Sequence, residues 1–177
     1  MLYTLKNGST VLVRPPRESD AARVVEVMAQ VDRETRFLSR EPEEFDYTPE
    51  AEAEVIRSVL ASPDDVWFLP EYNGLVVGQC SAHLAGRRMR YRHRATLGFV
   101  LLKDYWDLGI GGRMMLECLN WCREKGLEQA ELGVIKGNER AMRMYKSFGF
   151  EIVGETPRFL KYADGTYASE YYMVKRL

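Results

Sequence analysis

The chain has 177 residues, 46% of them hydrophobic and 29% charged, with a formal net charge of −1. That length suits one domain spanning residues 1–177 around a substantial core. The near-zero charge excludes any wholesale electrostatic attraction to nucleic acid or to a membrane surface, so local charge has to decide.

The opening Met1-Leu2-Tyr3-Thr4-Leu5 has no basic stretch leading into an apolar core, and no later run approaches bilayer length. A soluble, cytoplasmic protein without membrane partners is expected. Thr10 to Arg14 reads as a first strand, ended by Pro15-Pro16. Ser19 or Asp20 caps a helix running to about Val31, with Val24, Val25 and Met28 as its apolar stripe. Glu41, Glu43, Glu44 and Asp46 then put four carboxylates into six residues, either a solvated loop or a lure for a cationic amine. Thr48-Pro49 starts a second helix, apolar at Val55, Ile56, Val59 and Leu60, which ends at Ser62-Pro63. Val66 to Tyr72 and Leu75 to Leu84 form a hairpin about Asn73-Gly74, a type I′ turn sequence. Arg87, Arg88, Arg90, Arg92 and Arg94 follow. If Arg90, Arg92 and Arg94 alternate on a strand, they form either a solvated edge that resists aggregation or a surface for RNA, the ribosome or an acidic partner.

Ala95 to Leu102 reads as a strand, Lys103 to Leu108 as a loop, and Gly109-Ile110-Gly111-Gly112 opens a helix that runs to Lys125-Gly126. Glycines at a helix start leave the backbone N–H groups bare, and the helix dipole adds attraction, so the junction is a cradle for phosphate. A P-loop would close with Gly-Lys-Ser/Thr, but Gly112 is followed by Arg113 and Met114. A dinucleotide fingerprint would need a third glycine at Met114 and a position near the first strand. Cys118 and Cys122 lie one helical turn apart and, with Cys80, read as buried thiols rather than metal ligands or nucleophiles. Ala130 to Val134 is the next strand. Asn138 suits a helix cap and Gly149 a helix stop, with Ala141, Met142, Tyr145 and Phe148 on one face between them. Phe150 to Tyr162 and Tyr167 to Val174 close the chain as two strands about Asp164-Gly165.

Two of these segments resemble the GNAT superfamily of N-acetyltransferases. The family pattern Gln/Arg-x-x-Gly-x-Gly/Ala is matched by Trp106-Asp107-Leu108-Gly109-Ile110-Gly111, and Asn-x-x-Ala-x-x-x-Tyr-x-x-x-Gly-Phe by Asn138, Ala141, Tyr145, Gly149 and Phe150. Trp106 departs from the Gln or Arg of the pattern, as in the branch acting on ribosomal proteins and related small-molecule enzymes. The resemblance covers roughly residues 66 to 175. It implies an α/β fold, a single GNAT-like domain with a mixed, mostly antiparallel sheet flanked by helices, and acetyl-CoA bound where two central strands splay. It also implies acetyl transfer to a primary amine, on a small polar molecule or a protein N-terminus, and a homodimer is common in the family. The alternative is a non-catalytic acyl-CoA-binding regulatory module.

By the same resemblance, the backbones of Val100, Leu101 and Leu102 bind the pantetheine arm, and an N–H near Leu101 is the oxyanion donor. Leu108, Gly109, Ile110, Gly111, Gly112 and Arg113 hold the phosphates of acetyl-CoA, which acts as co-substrate, and no metal is expected. Asn138 is a cap, a ligand for the CoA arm, or both. Tyr145 is the general acid, since a phenol of pKa near ~10 is protonated at neutrality and can donate to a thiolate, or else a core tyrosine. Relatives commonly carry a Glu where this chain aligns Thr96. Glu170, Glu71, Asp46, His83 and His93 remain as bases, none singled out by spacing. With no nucleophile in place, direct transfer in a ternary complex is expected over an acetyl-enzyme.

Overall fold

The computed structural model describes all 177 residues. It begins with a short strand, β1 (Leu2–Thr4), antiparallel to β2 (Thr10–Arg14). Arg14 at the end of β2 is buried and pairs with Asp20 at 2.7 Å and Glu71 at 2.8 Å. Asp20 precedes α1 (Ala21–Glu34), but its side chain does not cap that helix. The carboxylate is taken by Arg14 and by the N–H of Arg17 (2.6 Å), so the expected cap gives way to a buried ion pair. Thr48 does cap α2 (Pro49–Ala61), accepting from the Ala51 N–H at 3.3 Å.

The hairpin forms from β3 (Asp65–Tyr72), with left-handed Asn73 and Gly74 at its turn. Its second arm is not one strand. β4 (Leu75–Val76) pairs with the end of β3 and β5 (Gly78–Leu84) with its beginning, the register slipping by one residue at Val77. β5 pairs along its length with β6 (Arg94–Leu101). The arginine run forms no flat guanidinium face, because residues 87–93 make turns between β5 and β6 and only Arg94 enters the strand. Backbone-directed bonds curl the segment back on itself, as Arg92 Nε donates to the Arg87 carbonyl at 3.0 Å.

The remaining elements are α3 (Ile110–Glu124), β7 (Gln129–Ile135), α4 (Glu139–Ser147), β8 (Glu151–Lys161) and β9 (Tyr167–Arg176). The strands form one mixed sheet in the order β1-β2-β3-β5-β6-β7-β9-β8, in which only β6 and β7 are parallel. α3 supplies the deepest part of the core through Met114, Met115, Cys118, Leu119 and Cys122, so the two helix thiols and Cys80 are buried as expected. No helix is long and apolar enough to cross a membrane.

Candidate active site

The central strands part company early. β6 and β7 pair only over Arg94–Thr96 against Gln129–Glu131. Beyond that point β6 stays with β5 as far as Leu101, and β7 stays with β9 as far as Ile135. Backbone polar groups along the two diverging edges therefore lack the partners a continuous sheet would give them. The gap between them opens into a cavity of about 1020 Å³, large enough for a cofactor-sized ligand.

Three walls complete it. The start of α3 contributes Gly109, Gly111 and Gly112; α4 contributes Asn138, Met144 and Tyr145; and the end of α1 with its loop contributes Val31, Phe37 and Leu38. Gly109 is the N-cap of α3 with φ +89° and nothing within 4 Å of an added Cβ, so its backbone conformation is what calls for glycine. A Cβ at Gly111 would lie 3.0 Å from Met144 Sδ, so that glycine admits α4 against α3 as much as it bares the cradle.

Val100, Leu101, Gly109, Gly111, Gly112, Asn138 and Tyr145 all line this one cavity. Leu102 does not. Its N–H donates to the Val77 carbonyl at 3.0 Å, its own carbonyl accepts from Tyr105, and its side chain is buried with Val27 and Val31. Fold-holding bonds have thus taken the groups that a ligand would need. Ile110 turns its side chain wholly into the core, and Leu108 packs against the same cluster. Arg113 faces away, stacked on Tyr3 with its guanidinium 3.4 Å from the Thr4 carbonyl.

The side chain of Trp106 takes up a distinct role. Its indole Nε1 donates to the Leu101 carbonyl at 2.8 Å, tying the loop before α3 to the end of the splayed strand. Arg140 on α4 lies over the indole, 4.7 Å from the ring centroid, and pairs with Asp107. Arg140, so paired, and its neighbour Arg143 both line the cavity, so the guanidinium groups at its edge come from α4 rather than from Arg113. Two arginines three apart after a capping Asn are the sequence signal for this, although spacing alone could not say which way they face.

Tyr145 is buried, 7% exposed, with its ring tilted against Phe99 (6.0 Å) and Phe150 (6.1 Å). Desolvation raises its pKa above the ordinary phenol value, so the hydroxyl holds its proton throughout the neutral range. Asn138 accepts from the Ala141 N–H at 3.2 Å through Oδ1, which leaves its amide NH₂ available while it caps α4.

Of the five candidate bases, the cavity contains one. Glu71 is engaged by Arg14, while Asp46, His83 and His93 are exposed and absent from the lining. Glu170 on β9 lines the cavity, half-buried, with a pKa raised by desolvation. Thr96 lies in the paired stretch of β6 opposite Glu131, outside the opening. Nor do Glu43, Glu44 and Asp46 of the acidic loop reach the cavity. Glu41 instead accepts from the Ala163 N–H at 2.9 Å and, with Arg36 paired to Asp164 at 2.8 Å, fastens the β8–β9 tip to the loop after α1. Phe159 and Leu160 of β8, next to that latch, line the same cavity as Phe37 and Leu38 and add apolar surface to it.

Comparison with known proteins accords with this geometry. The model of the acetyltransferase (GNAT) family matches residues 28–150. The L-amino acid N-acetyltransferase AaaT of Escherichia coli (strain K12) is 31% identical over 107 residues, covering 58% of this chain and 63% of AaaT, so the match spans less than two thirds of that relative's length. Among solved structures, a GNAT-family acetyltransferase from Streptococcus pneumoniae aligns with TM-score 0.88 and 28% identity, covering 94% of this chain and 99% of its own. Salmonella typhimurium yncA, solved with its cofactor acetyl-CoA, aligns with TM-score 0.83 and 16% identity over 94% of each chain, a likeness of fold. The α/β architecture expected from sequence, a mixed and mostly antiparallel sheet flanked by helices, is the one these structures share.

Proposed function

The chain belongs to the acetyltransferase (GNAT) family, and on that premise we propose that it is an acetyl-CoA-dependent N-acetyltransferase working by direct transfer to a primary amine in a ternary complex. The observation that carries the proposal is the opening between β6 and β7, bordered at once by a glycine-rich helix start and by a buried tyrosine. A bare helix N-terminus suits a pyrophosphate, and an unpaired strand edge suits the amides of a pantetheine arm.

In this reading the N–H groups from Gly109 to Gly112 at the start of α3 receive the phosphates, with Arg143 adding charge at the rim. The Arg113 N–H closes the first turn of α3 on the Gly109 carbonyl and its side chain lies on Tyr3, so Arg113 stands outside the cradle. Val100 and Leu101 border the pantetheine arm along the open edge of β6, and Asn138 offers its free amide to the same arm. The Leu101 N–H stabilises the oxyanion that forms when the amine attacks the thioester carbonyl. Trp106, by holding the Leu101 carbonyl, fixes the peptide unit that ends the strand. Tyr145 gives its proton to the departing thiolate. The thiolate forms in the same desolvated cavity that raises the phenol, so its proton affinity rises with that of its donor.

The amine enters from the side walled by Phe37, Leu38, Phe159 and Leu160, and carries its nitrogen toward Glu170. A small polar amine and a protein N-terminus both present such a group. Initial-rate kinetics test the mechanism, varying acetyl-CoA against an active amine. Intersecting double-reciprocal lines are expected for a ternary complex; parallel lines, with a radiolabelled acetyl group left on the protein, would overturn direct transfer.

A further inference from the structure

β7 is apolar and buried through most of its length, yet Gly133 interrupts it inside the cavity. A glycine within a strand weakens it and marks a place where something approaches the backbone closely. Here that something is the side chain of Glu170. Glu170 pairs in register with Ile135 on β7 and runs diagonally toward Gly133. A Cβ built on Gly133 would fall inside the carboxylate, 2.6 Å from its Cδ. Gly133 is therefore the position that lets a carboxylate from the neighbouring strand lie flat over β7, at the wall of the opening.

We propose that Glu170 is a catalytic residue that takes the proton from the attacking amine, and that Gly133 is a positioning residue that gives it room. This rests on the acetyltransferase reading and assigns the base which that reading lacks. The amine nitrogen forms a bond to the thioester carbonyl carbon. Its surplus proton passes to the Glu170 carboxylate. The carbon–sulfur bond then breaks, and the thiolate takes the Tyr145 proton. Return of the proton from Glu170 to Tyr145 through solvent restores both groups, leaving amide and thiol as the net products.

The surroundings suit the task. Lys136, in the turn just after β7, is occupied, pairing with Glu155 on β8 at 3.2 Å and lying over Tyr171 of β9, so no lysine neutralises Glu170. From β8 the register partner is Thr156, which carries no charge. The other ionisable groups of the lining are Tyr145, Glu139, Arg140 and Arg143 of α4, and Tyr105 and Asp107 of the loop before α3. Burial holds the carboxyl above its usual range, nearer the working pH of a base.

The test uses the full chain with acetyl-CoA and four probe amines: spermidine, L-methionine, kanamycin and a peptide with a free N-terminal serine. With whichever amine the unaltered protein acetylates, Glu170→Gln is expected to lower kcat by ~10²- to 10⁴-fold while acetyl-CoA affinity holds. Any part of the acid limb of the pH–rate profile set by a carboxyl should vanish with it, while the limb set by the amine's own deprotonation stays. Gly133→Ala should lower kcat in the unaltered background and change nothing further in the Glu170→Gln background, because both substitutions act through one carboxylate. Full activity in Glu170→Gln would overturn the assignment and leave the acetyltransferase reading standing. An equal loss from Gly133→Ala in both backgrounds would refute the positioning role. Silence of the unaltered protein with all four amines, with acetyl-CoA bound in the same samples, would remove the reading and this inference together.

Discussion

Tyr145→Phe removes one oxygen and keeps the ring, which makes it the sharpest probe of the leaving-group step. The ring contacts with Phe99 and Phe150 survive the change, and the residue is only 7% exposed, so the packing that holds α4 to the sheet is retained. Stability should therefore stay within about 1 kcal/mol of the unaltered protein. Turnover should not. Proton donation by a positioned side chain contributes ~10²- to 10⁴-fold, which at 1.36 kcal/mol per decade is about 3–5 kcal/mol of barrier. Because the hydroxyl acts on a sulfur that is neutral until the bond breaks, the loss should fall on kcat, with acetyl-CoA affinity by calorimetry unchanged. Since burial raises the Tyr145 pKa above its ordinary value, the phenol stays protonated across pH 6–9 and adds no alkaline limb there. The assay is thiol release at saturating acetyl-CoA and amine. A kcat within twofold of the unaltered protein, with folding intact, would refute the role of the hydroxyl.

Other consequences are independent of that step. Gly109→Ala forces a Cβ into a left-handed φ at a position with open space around it, so the loss is conformational alone. A penalty of ~1–2 kcal/mol corresponds to a fall of roughly 2–8 °C in Tm for a chain of this size. Arg143→Ala should weaken acetyl-CoA binding several-fold and flatten its salt dependence, whereas Arg123→Ala on the far end of α3 should leave both unchanged. Glu52 is 6% exposed, and desolvation raises its pKa against a smaller lowering by Arg40. A raised carboxyl pKa favours folding below the unfolded value and loses that contribution as pH rises through the folded value, so ionised Glu52 burdens the fold at neutrality. Glu52→Gln should raise Tm at pH 7, with the gain disappearing below about pH 4; a gain that persists at acid pH would point to a cause other than charge.

What could be read from the sequence was local. Asn73-Gly74 announces its turn, Thr48-Pro49 its cap, and Asn138 with Gly149 a helix whose two ends are written in the chain. These signals depend on a few adjacent residues and survive folding intact. Asp20 shows where such reasoning stops. Its type and place suit a cap, but Arg14, buried six residues earlier, draws its carboxylate away. Leu102 makes the same point within the site, since its N–H is claimed by Val77 across the sheet. The arginine run shows it again: alternation suggests a strand, but nothing local reveals that residues 87–93 turn instead. The proposed acceptor side was the least legible part, because it joins Phe37 and Leu38 to Phe159 and Leu160 across most of the chain. Glu170 was visible as a spare carboxylate, whereas Gly133 drew no notice within the strand from Ala130 to Val134. Only the register of β7 on β9 brings them together.

The central claim is tested most directly by following thiol release from acetyl-CoA while the amine product is collected and identified. Spermidine, L-methionine, kanamycin and a peptide with a free N-terminus serve as separate acceptors, each corrected for spontaneous hydrolysis. Amine-dependent release is expected with at least one acceptor, with one acetylated amine formed per thiol freed and loss of both in Tyr145→Phe. Acetyl-CoA binding without amine-dependent release from any acceptor would contradict that claim.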